Sequence, residues 1–140
     1  MKLSDHSKNR LLHSFDKWAV EAEYSQHIYD YLVHGWHPGS FYTAVLANDF
    51  VSAMVLSHPA NSILTLKNLA SWIINAMPAD ARGSYDHVGL WLKTGPERRR
   101  EILERCNLIY TTKEEMWLIL KHDHTSNPYS FEWERYKDLS

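Results

Sequence analysis

His34-Gly35-Trp36-His37-Pro38-Gly39-Ser40-Phe41-Tyr42-Thr43-Ala44-Val45-Leu46-Ala47-Asn48-Asp49-Phe50 reads as a glycine-framed loop opening into a helix. Gly35 reaches backbone angles that its neighbours resist. Pro38 fixes its own φ, pushes His37 out of the helical region and suits a first helical turn, where its missing N–H costs nothing. Phe41, Val45, Leu46, Phe50, Val51, Met54 and Val55 then recur at helical spacing. The stretch therefore predicts one helix over Pro38 to Leu56, sunk in the interior, with Asn48 and Asp49 as a polar pair in its middle. The first-turn N–H groups of Gly39, Ser40 and Phe41 would face whatever covers the loop, whether an anion, a carbonyl or a partner's carboxylate.

Upstream, residues 5 to 33 lack Gly and Pro. Leu11, Leu12, Phe15, Trp18, Ala19 and Ala22 step at three and four, and Ile28, Tyr31 and Leu32 continue the pattern. This predicts one long helix, or two broken near Ser25, with Asp5 as N-cap and Gly35 just past the end. Downstream, Pro59 stops the second helix and Asn61 begins a third. Its buried face would be Ile63, Leu64, Leu66, Leu69, Ala70, Trp72, Ile73 and Met77, ended by Pro78. Ser84 caps a short helix with Val88, Leu90, Trp91 and Leu92, and Gly95-Pro96 opens a charged helix with a narrow stripe of Ile102, Leu103 and Cys106. Leu108-Ile109-Tyr110 reads as a short, extended piece. Thr112 with Glu115 forms a capping-box pattern ahead of Met116, Trp117, Ile119 and Leu120. From His122 to Ser140 an irregular tail is expected, held by Tyr129, Phe131, Trp133 and Tyr136. The fold class is all-α: a compact orthogonal bundle of about five or six helices, one domain over 1–140, joined by short loops.

At 140 residues, 44% hydrophobic and 23% charged, the chain can bury one core and is not a long disordered tail. Its net charge of −2 exerts no global pull on nucleic acid or anionic membrane. The single cysteine, Cys106, excludes an internal disulfide and suits a reducing cytoplasm. No signal-peptide core stands at the start and no apolar run spans a bilayer. Six Trp, eight Tyr and four Phe exceed what a single core stripe absorbs, and Trp and Tyr are frequent anchors of binding surfaces.

Five sets of residues could carry chemistry. The first is the loop itself, where Gly35, Gly39 and Ser40 offer donors to an anion; the bland alternative is a tight turn whose Pro and Gly set geometry. In the second, Asp49 held by Asn48 could act as a base or ligand, against a structural role tying down the preceding loop. The third is the His34/His37 and His122/His124 pairs, which lack the companions that a zinc site needs. The fourth, Arg98-Arg99-Arg100, could grip phosphate, but Glu97, Glu101 and Glu104 interleave with it and can neutralise it along the helix. In the fifth, Trp72 and Trp91 read as core, whereas Trp36, Trp117 and Trp133 are candidate contact residues. Neither a cofactor nor a metal is expected.

The order His34-Gly35, Pro38-Gly39, Phe41, Ala44-Val45-Leu46, Asn48-Asp49, Pro78, Gly83-Ser84, Val88 and Trp91 resembles a family of small phage and prophage proteins. The likeness covers about 29–93 and leaves 94–140 as an addition. His37 and Ser40 depart from it, where such proteins usually carry Pro and a second Gly. The resemblance implies an accessory phage gene acting on host molecules in the cytoplasm of an infected bacterium. The expected function is thus non-enzymatic binding and inhibition of a host protein or protein–nucleic-acid complex, such as a defence system. The expected contact residues are His34, Gly35, Trp36, His37, Gly39, Ser40, Asn48, Asp49, Arg98, Arg99 and Arg100. A nucleotide or phosphate binder at Pro38–Phe41 and a small hydrolase using Asp49 and a histidine are the alternatives, and a homodimer is compatible with each.

Overall fold

In the computed structural model, residues 1–57 and 62–126 are described, 122–126 by backbone alone. The order is α1 (Asp5–Lys17), α2 (Ala22–Tyr29), a π-helical turn (Asp30–His34), α3 (Ser40–Leu46), α4 (Phe50–Leu56), α5 (Ile63–Ala76), a 3₁₀ turn (Ala79–Ala81), α6 (Tyr85–Lys93), α7 (Pro96–Arg105) and α8 (Thr112–Ser126). The protein is an all-α bundle, with eight helices rather than five or six and no strand among the described residues. Leu108-Ile109-Tyr110, expected to be extended, is a bend between α7 and α8. No described helix is long and apolar enough to cross a membrane.

One buried cluster draws on α1, α2, the π turn, α3, α5, α6 and α7. Trp72 and Trp91 lie within it, as expected. Trp72 stacks on Phe15 with ring centroids 4.4 Å apart, and its indole N–H donates to Ser14 Oγ at 3.2 Å. This pairs α5 with α1 by an offset aromatic contact whose polar edge is satisfied.

The first helical stretch breaks at Ala19 and not near Ser25. Ala19 takes φ 56, and the Val20 N–H reaches Phe15 O at 3.1 Å, the six-to-one bond of a helix end. Phe15 and Val20, both buried, hold the chain in that left-handed step although no glycine marks it. Ser25 sits inside α2, its hydroxyl donating to Glu21 O. Ser4, not Asp5, caps α1 by accepting from Ser7 N.

The single buried rod over Pro38 to Leu56 does not form. Asn48 takes φ 62, Asp49 caps a new helix, and the segment splits into α3 and α4. Asparagine tolerates that conformation because its short polar side chain bonds locally. Pro38 is buried but precedes the helix, whose N-cap is Gly39 at φ 92. α3 buries Tyr42, Ala44 and Leu46, whereas α4 buries only Ala53. Ile63 and Leu64, also expected inside, are exposed, while Leu69, Trp72, Ile73 and Met77 are buried. Ser62 caps α5 by accepting from Thr65 N at 3.1 Å; Pro59 and Asn61 lie outside the described residues. Ser84 caps α6 and Pro96 opens α7, both as expected.

The capping box of α8 falls one residue earlier than Thr112/Glu115. Thr111 Oγ1 accepts from Glu114 N, and Glu114 Oε1 accepts from Thr111 N. Glu115 instead turns inward to meet Arg100 at 3.0 Å. The helix runs through Ser126, where an irregular tail was expected from His122; Tyr129, Phe131, Trp133 and Tyr136 lie outside the described residues. Because Ala19 is exposed and strained only by its positive φ, Ala19→Gly should raise stability by about 0.5–1 kcal/mol in urea unfolding.

Candidate functional site

The loop over 34–40 is positioned by the turn that precedes it. Across Asp30–His34 the backbone widens into a π turn, two of whose carbonyls take side-chain donors from other helices. Tyr31 O accepts from Gly35 N at 3.1 Å and from the buried Trp91 indole N–H at 3.1 Å. Val33 O accepts from Arg99 Nε at 3.3 Å, and the Tyr31 hydroxyl donates to Ala81 O at 2.8 Å. Side chains from α6 and α7 thereby bond two carbonyls of this buried backbone segment, and the turn's own Tyr31 hydroxyl ties it to the 3₁₀ turn.

Gly35 ends the turn in the left-handed region at φ 67. A Cβ there would lie 2.9 Å from Arg99 Nη1 and 3.1 Å from its Cζ. Position 35 therefore needs glycine twice, for its backbone angle and for the guanidinium against it. Arg99 is only 6% exposed, and its Nη1 also donates to Thr94 O. Burial lowers its pKa from the ordinary arginine value, yet it stays a cation at the carboxyl end of the turn, where the peptide dipoles favour positive charge.

Above this base, His34 and Trp36 stack with centroids 4.7 Å apart, and Tyr29 meets His34 edge-on at 6.0 Å. Desolvation first, then the amino terminus, lowers the His34 pKa, with Asp30 opposing, so the ring is neutral at physiological pH. Trp36 itself stays 59% exposed. His37 Nδ1 accepts from Gly39 N at 3.1 Å, and the Thr43 hydroxyl donates to Gly39 O at 2.7 Å, so both sides of Gly39 are held. Exposed Ser40 begins α3.

The other expected contact residues do not join this loop as one surface. Asp49 caps α4, accepting from Ser52 N at 3.2 Å on one oxygen and from the Tyr85 hydroxyl at 2.6 Å on the other. It ties α4 to α6 and not to the preceding loop, and no histidine is bonded to it among the described residues. The Tyr85 bond, then the Ser52 bonds, hold its carboxyl below the ordinary value. Asn48 is the exposed left-handed residue of the break. The arginine triplet splits three ways. Arg98 pairs with Glu101 in solvent, Arg99 lies beneath Gly35, and Arg100 binds Glu104, Glu115 and Tyr110 O. Three guanidinium groups so divided cannot close on one phosphate.

Of the remaining candidates, Trp117 is buried, and Trp133 and the side chains of His122 and His124 lie outside what is described. No cluster of three metal-ligating side chains occurs among the described residues. Desolvation, then Asp80, pushes the Cys106 thiol up, which opposes nucleophilic use. Sequence reasoning missed Tyr31, Trp91 and Tyr85 as polar partners of this region. Their polar atoms reach residues 36 to 60 positions away, which no local pattern signals. No protein-family model, curated protein or solved structure matches this chain.

Arg99→Ala should strip donors from two carbonyls and lower unfolding free energy by about 2–4 kcal/mol in urea melts. Tyr85→Phe should raise the Asp49 pKa toward 3.8 in a carboxyl NMR titration. Because the folded carboxyl is held low, the stability lost with that hydrogen bond should be seen at neutral pH and fade as pH falls through the carboxylate range.

Proposed function

We propose that this chain is a phage accessory protein that acts by binding, docking on a host protein or protein–nucleic-acid complex through the 34–40 loop and inhibiting it. The observation that carries the reading is Trp36, largely exposed on a backbone fixed from below and from both sides. A tryptophan presented this way offers a large contact area while losing little conformational freedom on binding, the property that concentrates binding energy in a few aromatic residues. His37 and Ser40 beside it supply polar rim groups. Phage origin and a defence system as target come from the resemblance carried by residues 29–93.

The main alternatives fit less well. A phosphate at the start of α3 would compete with His37, which already takes the Gly39 N–H. A hydrolase using Asp49 would have to free a carboxylate that two hydrogen bonds occupy.

Immobilised protein should capture a defined partner from the lysate of a susceptible bacterium. Trp36→Ala should weaken that capture at least tenfold, about 1.4 kcal/mol, with the melting temperature nearly unchanged because the side chain is exposed. Capture unaffected by Trp36→Ala, or no specific partner at all, would overturn the reading.

A further inference from the structure

A cleft of about 410 Å³ opens between α6 and α7, and no residue of the Trp36 loop lines it. Its volume lies in the range of small-molecule sites, ~300–1,000 Å³. One wall is a single face of α6, where His87, Leu90, Trp91 and Thr94 recur at helical spacing. α7 supplies Arg98 and Ile102, and the 3₁₀ turn supplies Asp80. Trp91 and Ile102 are buried and form an apolar floor, to which the exposed Leu90 adds.

The two charges stand at opposite ends of this floor. Arg98 and Thr94 flank the short connection where α6 stops and α7 starts. Asp80 precedes the start of α6, and its charge acts on the thiol of Cys106, the residue that caps the far end of α7. Positions 87 and 94 lie about 10 Å apart along α6, and positions 98 and 106 about 12 Å apart along α7. The cleft is therefore cationic at one end, anionic at the other and apolar between.

Both charged groups can take a ligand. The Asp80 carboxylate is exposed and has no ion pair among the described residues. Arg98 meets Glu101 at 2.8 Å through one nitrogen, with the two side chains 51% and 60% exposed, and a pair so solvated holds its guanidinium loosely. Two neutral groups complete the lining. Ser84 Oγ accepts from His87 N at 3.1 Å and gives its own proton to His87 Nδ1 at 2.8 Å, which leaves Nε2 as an N–H donor. The Thr94 hydroxyl donates to Leu90 O at 2.7 Å and keeps lone pairs with which to accept.

We propose that this cleft binds a short free peptide of about three residues, with its carboxylate on Arg98, its ammonium on Asp80 and an apolar side chain on the Trp91–Ile102 floor. Three extended residues span about 10 Å, the separation of the two ends. His87 donates to a peptide carbonyl and Thr94 accepts a peptide N–H, the two groups that a peptide offers between its termini. Arginine receives a carboxylate with two parallel bonds, which fixes the direction of the chain. Other small ligands match fewer of these groups. A single amino acid carries its charges too close together to reach both ends. A phosphate would meet one guanidinium and be repelled by Asp80, and a polyamine would be repelled by Arg98.

Calorimetric titration of the full chain with Ala-Leu-Ala should give a Kd below about 1 mM. Acetylating the amino end or amidating the carboxyl end should each weaken binding at least tenfold. Arg98→Gln should weaken the free peptide equally and make the protein indifferent to amidation, and Asp80→Asn should make it indifferent to acetylation. Both side chains are exposed, so the melting temperature should hold in each variant. Trp36→Ala should leave peptide binding unchanged, which separates this site from the loop. Absence of binding at about 5 mM peptide, equal binding of blocked and free peptides, or sensitivity to amidation that persists in Arg98→Gln would each overturn the proposal. So would loss of binding in Trp36→Ala.

Discussion

The π turn over Asp30–His34 is the constraint on which the molecule is built. A wide turn in the interior displaces carbonyls from the helical ladder, and an unpaired carbonyl in apolar surroundings is expensive. Here Arg99 supplies Val33 O, Trp91 adds a second donor to Tyr31 O beside the Gly35 N–H, and the Tyr31 hydroxyl donates to Ala81 O. Those bonds pull α6, α7 and the 3₁₀ turn against the end of α2. They also explain why an arginine, a residue seldom buried, is tolerated within the core: it lies at the negative end of aligned peptide dipoles and donates to two carbonyls.

Because the turn is fixed, the loop after it is fixed too. Gly35 reverses the chain over the Arg99 guanidinium, Pro38 packs inward, and Gly39 starts α3 with a backbone angle unfavourable to other residues. Trp36 is thus held out from a foundation of packed and hydrogen-bonded groups. Rigidity of this kind lowers the ordering entropy of recognition, which is why a fixed aromatic can carry a contact that a floppy one cannot.

α4 obeys a different logic. Its attachment runs through the Asn48–Asp49 break, where Asp49 grips the first turn of α4 and the Tyr85 hydroxyl, and Gly83 N meets Leu46 O at 2.8 Å. These polar ties orient the helix without burying it. The molecule therefore carries two unlike surfaces: an aromatic anchor on a polar loop, and an uncharged aliphatic face on α4 and α5. Water penalises the second far more than the first.

Much of the architecture was legible along the chain. Helical periodicity marked every helical segment of the core, Gly35, Ser84 and Pro96 were readable as terminators and caps, and Trp72 and Trp91 as interior. These are local signals, set by backbone sterics and by a 3.6-residue period that the residues themselves carry. Three features were decided only in the folded molecule. The Ala19 break has no glycine to announce it; Phe15 and Val20 settle it by going into the core together. Apolar spacing marked Phe50, Val51 and Val55 as interior, yet periodicity reports only that a helix has an apolar face, not whether the chain has anything left to lay against it. The arginine triplet read as one charged patch, but successive residues on a helix point about 100° apart, and tertiary packing sent one to solvent, one beneath a glycine and one to Glu115. Sequence alone determined which segments are helical and where most of them stop, because those energies are local. Which face is covered and which charge is buried depended on neighbours brought together from distant parts of the chain.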